Sequence, residues 1–198
     1  MKILSTLMKN LTILSLVIGT TLTFQAQTKF TSKSVNMSVV GTSTMHDWVM
    51  NSTTGDCSAT FTIDATDNLT GLTGMNLTVS SKTLKSGKGG MDKNAYKALK
   101  TDKNPNITAT LKSAEVTTKD NKTYTIKSMI KLTIAGKTLE TDMISTVKKV
   151  NDNSYSVKGE KKISMKDYDM SPPSFMLGAV KTGNEVVLNF DVVLNQQL

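Results

Sequence analysis

The sequence predicts an all-β fold, and three observations carry that prediction. Apolar residues recur at every second position in run after run. The positions between them hold Thr, Ser, Asn and Lys, which suit the wetted face of a strand. No rhythm of strands alternating with long helical segments, the mark of a parallel α/β sheet, occurs along the chain. At 198 residues the chain fits one domain of this class, since all-β domains commonly reach that length.

The elements follow in order. Residues 1–27 read as a signal peptide, with Lys2 and Lys9 ahead of an uncharged apolar run at 11–24 and a cleavage region in FQAQ. That run is shorter than the roughly 20 apolar residues a spanning helix needs. No cysteine near the cut offers a lipid attachment site, so residues 28–198 are expected as a periplasmic or secreted domain. Val35, Met37 and Val39 begin the alternation, and a strand is expected through 46–50, with His46 and Trp48 on one face. Cys57, Ala59, Phe61 and Ile63 share the face of the next strand. As the only thiol, Cys57 forms no internal disulfide and reads as a small buried hydrophobe.

Met75, Leu77 and Val79 alternate next, followed by Ile107, Ala109 and Leu111. Tyr124, Ile126, Ile130, Leu132 and Ile134 form a longer run that ends in an Ala135-Gly136 turn. Leu139, Met143 and Val147 come after it, then Tyr155, Val157 and Ile163. Val186, Leu188, Phe190, Val192 and Leu194 close the series. That gives about eight or nine strands joined by short links, the pattern of antiparallel hairpins. A barrel and a sandwich both satisfy it.

Two segments break the alternation. GGMDKNAYKALKTDKNP has helical spacing, with Asp92 expected as N-cap, Met91 stapled onto Tyr96, Tyr96 and Leu99 facing the sheet, and Pro105 as the stop. Lys93, Lys97 and Lys100 fall on another face. Seven lysines stand between positions 82 and 103 against Asp92 and Asp102, which is either a solvated face or a cationic rim for an anionic group. In MKDYDMSPPSFMLGAVKTGN, Pro172-Pro173 forbids a ladder strand, while Phe175, Met176 and Leu177 are apolar enough to need cover. A lid or plug over an opening is expected there.

Chemistry has few carriers. The one histidine, His46, is the only base available for acid-base or nucleophilic catalysis, and Asp47 beside it would point to the opposite face of a strand. One His and one Cys do not make a zinc site, so no metal or cofactor is expected. The formal charge of +8 is spread along the chain without interleaved aromatics, which argues against nucleic acid as a partner.

GTSTMHDW, LKSGKGGMDKNAYKALKTDKNPNI, KLTIAGKTLE and MKDYDMSPPSFMLGAVKTGNEVVLNFDVVL, in that order and over most of residues 35–194, resemble the YceI-like family of exported lipid- or polyisoprenoid-binding proteins. The resemblance implies a lipocalin-like antiparallel β-barrel of about eight strands with one short helix, whose elongated apolar interior takes a long isoprenoid chain. Twelve methionines would suit a pliable lining. The expected wall holds His46 and Trp48, then Phe61, Ile63 and Leu77 on early strands, and Leu84, Tyr96 and Leu99 around the helix. Ile107, Ile126, Ile130, Leu132 and Met143 continue it on later strands, with Phe175 and Met176 in the lid. Lys85, Lys88 and Lys93 are the basic candidates for a head group. The expected partner is a long-chain isoprenoid or another amphipathic lipid, and peripheral membrane contact and a homodimer are compatible with it. Two alternatives stand beside this reading: an enzyme acting through His46, and a solid barrel whose basic face near Lys93 meets an acidic partner.

Overall fold

A computed structural model describes residues 26–197 of the chain. Of the expected signal segment only Ala26 and Gln27 fall within that range, and residues 1–25 lie outside it. The strands are β1 (Ala26–Ser32), β2 (Val35–Ser43), β3 (Trp48–Ser52), β4 (Asp56–Ile63), β5 (Leu69–Ser80) and β6 (Asn106–Thr118). They continue with β7 (Thr123–Ile134), β8 (Lys137–Asn151), β9 (Ser154–Ser164), β10 (Ser174–Phe175) and β11 (Val180–Gln196). One helix, α1 (Gly89–Ala98), stands between β5 and β6.

Every pairing is antiparallel. The order β1-β4-β5-β6-β7-β8-β9-β11 returns to β1 through Phe30 opposite Gln196 and Thr31 opposite Asn195, which closes a ring of eight strands. This decides for the barrel. Beyond Ser32 the chain bends at Lys33-Ser34 and continues as β2, which pairs with β11 from Val35 to Ser43 and with β3 on its other side. The β2–β3 hairpin thus extends the wall at one end of the ring. The Ala135-Gly136 turn has both residues at positive φ (52° and 87°), the conformation that matches the twist of a two-residue hairpin.

The alternation read from the sequence holds where it matters for the core. Tyr124, Ile126, Ile130, Leu132 and Ile134 are all buried on one face of β7, and Val186, Leu188, Val192 and Leu194 are buried on β11. At the end where β1 meets β4, Phe30, Phe61 and Tyr155 pack ring against ring at 5.2–5.4 Å between centroids. The Tyr124 hydroxyl donates to the Asn121 carbonyl and accepts from the Leu69 N–H, so this half of the barrel is filled with satisfied side chains. Cys57, further along β4, is buried as well, and burial pushes its thiol up to about 11.

Three expectations need correction. β3 begins at Trp48, so His46 lies in the hairpin turn, where the Ser43 N–H and hydroxyl both donate to the His46 carbonyl. α1 begins at Gly89 and not after Asp92, whose carboxylate reaches back to accept from the Ser86 N–H at 2.8 Å and the Ser86 hydroxyl at 2.6 Å. These bonds hold the Asp92 carboxyl below its usual range. The helix also ends at Ala98, well before Pro105. Lys100 turns left-handed (φ 53°), with the Thr101 N–H donating to the Tyr96 carbonyl and the Lys100 N–H to that of Lys97. This is a Schellman ending, formed without the usual glycine.

Candidate ligand-binding cavity

The two ends of the barrel differ. Where β7 and β9 finish and β11 begins, the strands are not filled to their ends, and α1 and the segment 165–182 close over them. A cavity of about 450 Å³ remains, within the range of roughly 300–1,000 Å³ typical of small-molecule sites.

Its floor is apolar and buried: Met50, Leu84, Ile134, Met165, Met170 and Leu188 lie there. Its roof is the inner face of α1, where Met91, Ala95 and Ala98 with Leu99 recur at helical spacing and present small or flexible side chains. Pro173, Phe175 and Val180 form a side wall. Five methionines, Met45, Met50, Met91, Met165 and Met170, border the space, and their unbranched thioethers adapt to irregular shapes.

The polar lining residues are few: Ser43, His46, Lys88, Asn94 and Thr182. The lining residues that are also exposed are Met45 and His46 on the β2–β3 turn and Lys88 and Gly90 at the start of α1, so the opening lies between these two elements. His46 Nδ1 lies 2.7 Å from the Asp47 carbonyl. A carbonyl only accepts, so Nδ1 is the donor in this contact. Trp48 is fixed by its Nε1–H, which donates to the Thr42 carbonyl at 2.9 Å, and by Gly41 opposite it in the ladder. A Cβ at Gly41 would stand 2.2 Å from the indole ring, so only glycine lets Trp48 lie flat there.

Of the residues expected in the wall, the structure brings His46, Trp48, Leu84, Leu99 and Phe175 together around this cavity, with Lys88 at its mouth. The others stand elsewhere. Phe61 belongs to the aromatic cluster, and Ile107, Ile126, Ile130 and Leu132 are spent on core packing at 4% exposure or less. Ile63, Leu77 and Met143 are half-buried against that core, away from the cavity. Tyr96 faces outward because its hydroxyl finds two carbonyls there, those of Lys82 at 3.0 Å and Leu84 at 2.9 Å. It therefore shares no face with Met91, and the expected staple does not form.

Lys85 sits over the Tyr96 ring at 5.1 Å, and Lys93 lies in an outer groove with Tyr96 and Lys97. Neither reaches the cavity. The Met176 side chain lies outside the described residues, and Leu177, expected as part of the cover, is fully exposed. Sequence reasoning missed Met50, Met91, Met165, Met170 and Ile163 as lining residues. The methionine content was the signal for four of them.

A closed antiparallel barrel with one hollow, apolar end and a mouth carrying a few polar groups is a lipocalin-like binding barrel. The YceI-like domain model matches residues 19–194, and the chain belongs to that family. No curated protein matches the chain at a significant level.

Among solved structures, Burkholderia cenocepacia BcnA superposes with a TM-score of 0.63 at 15% identity, over 80% of this chain and 95% of that one. A polyisoprenoid-binding domain from Saccharophagus degradans, implicated in plant cell wall breakdown, gives a TM-score of 0.63 at 11% identity over 87% of this chain and 100% of that one. The Campylobacter jejuni YCEI protein gives 0.54 at 19% identity over 72% of this chain and 82% of that one. At these identities the likeness is one of fold.

Proposed function

We propose that this chain is an exported, non-enzymatic carrier or reservoir that buries the apolar end of a polyisoprenoid or a similar amphipathic lipid in the end cavity. The observation that carries the reading is the methionine-rich hollow beneath α1, lined mostly by apolar side chains. Burial of each CH₂ of a chain there stabilises the complex by about 0.8 kcal/mol, which suits hydrocarbon and not a polar metabolite. His46 and Lys88 are the exposed polar lining residues, so the apolar end of the chain enters while the polar end stays near them.

Family membership and the polyisoprenoid-binding neighbour from Saccharophagus degradans support a lipid ligand. A binding role is further supported by His46, whose ring is engaged by its own chain with no carboxylate or nucleophile hydrogen-bonded to it among the described residues. Export is supported by the charged and then apolar sequence of residues 1–27.

Mass spectrometry of an organic extract from protein purified out of an envelope fraction tests the reading. The expected result is one amphipathic lipid in near-stoichiometric amount. Protein free of lipid that takes up none on incubation with polyprenyl phosphate would refute it. N-terminal sequencing of the same protein checks export, with a start near residue 28 expected.

A further inference from the structure

We propose that the hollow end of the barrel is also a docking surface for an acidic lipid bilayer, with α1 laid against the leaflet and the mouth opening into it. This rests on the lipid-carrier reading and adds where the lipid is exchanged.

The first observation is charge without partners. Among the described residues nine ion pairs form, and most join lysines of the strands to acids beside them. Strand lysines such as Lys127, Lys131 and Lys148 are also unpaired among the described residues, but around α1 such lysines are densest. Lys85, Lys88, Lys93, Lys97, Lys100 and Lys103 are exposed and none is in an ion pair. The two nearby acids offset only part of this charge: Asp92, held on Ser86, acts on Lys85 alone, and Asp102 is engaged by Lys82 at 2.9 Å.

The second observation is the direction of that charge. α1 roofs the cavity with Met91, Ala95 and Ala98, so its opposite face, with Lys93 and Lys97 and with Lys100 just past its end, is the outer surface of that end. A helix apolar beneath and basic above is suited to an anionic interface.

The third observation is exposed hydrocarbon at the same rim. Met45, 68% exposed, stands on the turn at the mouth, and Leu177, fully exposed, stands at the tip of the β10–β11 hairpin. These two tips are tied together, the Thr44 N–H donating to the Lys181 carbonyl and the Thr44 hydroxyl to that of Ala179. A soluble polyanion has no use for such side chains, whereas the acyl boundary of a membrane does. Charge and hydrocarbon together therefore favour a bilayer over nucleic acid or an acidic protein.

Flotation with vesicles tests this, using the full-length mature protein in about 0.15 M salt, where screening acts beyond roughly 8 Å. The protein should float with phosphatidylcholine vesicles containing phosphatidylglycerol and stay behind with pure phosphatidylcholine. A lysine near an acidic leaflet contributes on the order of fivefold in affinity, so Lys93→Glu/Lys97→Glu/Lys100→Glu should lose at least about a hundredfold. The milder Lys93→Gln/Lys97→Gln/Lys100→Gln variant should lose a smaller factor with an unchanged melting curve.

Leu177→Ser should weaken binding several-fold. Full binding by either lysine variant, equal binding to neutral vesicles, or an unaffected Leu177→Ser protein overturns the proposal. The organic extract is read from the same preparations. Lipid in the extract without flotation overturns the docking surface alone, and flotation without lipid in the extract upholds it while refuting the carrier.

Discussion

Cys57 shows how far a residue's neighbours set its chemistry. On β4 it is buried in the core, and burial pushes the thiol up to about 11 from an ordinary 9.0. The neutral form is favoured in the folded protein, so this contribution is fully present below pH 9. It is lost as pH rises from 9.0 toward 11, because the unfolded chain gives up its proton first. A loss on the order of 2–3 kcal/mol is expected across that window, and denaturant titrations at stepped pH would measure it. In the native state the thiol should resist an aromatic disulfide reagent at pH 8 and react at once after unfolding. A fast native reaction would show that the site is open. The same strand position was readable in advance, since one lone cysteine in register with Ala59 and Phe61 has nothing to pair with.

α1 is the element that turns a barrel end into a compartment. Its termini are set by specific contacts and not by propensity: the Asp92 carboxylate holds Ser86 at one end, and the left-handed backbone at Lys100 stops the other. Between them the Tyr96 hydroxyl ties the helix to the carbonyls of Lys82 and Leu84, the loop that itself pairs with β3 through Asn51 and Lys85. Tyr96→Phe removes both bonds without changing the cavity lining. A loss of about 1 kcal/mol is expected, seen as faster hydrogen exchange in α1 with the barrel strands unaffected. Uniform exchange across the molecule would mean that α1 opens only with global unfolding. The helix itself was legible from its apolar spacing, but its rotation was not. Tyr96 and Leu99 satisfy the i, i+3 rule as an inward pair, and the carbonyls that draw Tyr96 outward come from residues 82 and 84, whose position no local pattern gives.

At the scale of the whole molecule the barrel is half solid and half hollow. Phe61→Ala should cost about 3–5 kcal/mol in denaturant unfolding, as deletion of a buried ring does, and leave lipid stoichiometry unchanged. A change in bound lipid would show that the two halves communicate. The eight-strand ring was largely legible, because alternation marks the inward face wherever one side of a strand is wet. Two features were not. β1 went unread because Phe30 is the only buried residue in a segment that follows closely on the uncharged apolar run at 11–24. Which end is hollow was also hidden, since Ile130 and Leu132 in the packing and Ile134 and Leu188 in the cavity are the same residue types. The difference lies in three aromatic rings at one end and the alanines of α1 at the other.

The pairing of β11 with β2 and β1 has a kinetic side. Asn189 and Ser38 meet from positions 151 residues apart, and the ring cannot shut until β11 is in place. Contacts this distant in sequence put folding at the slow, millisecond-to-second end of the range for single domains. Until then β2 and β9 each present an open edge, so the chain stays unfolded or edge-exposed for most of its synthesis. That order makes β11 the strand on which a holding chaperone would have the greatest effect.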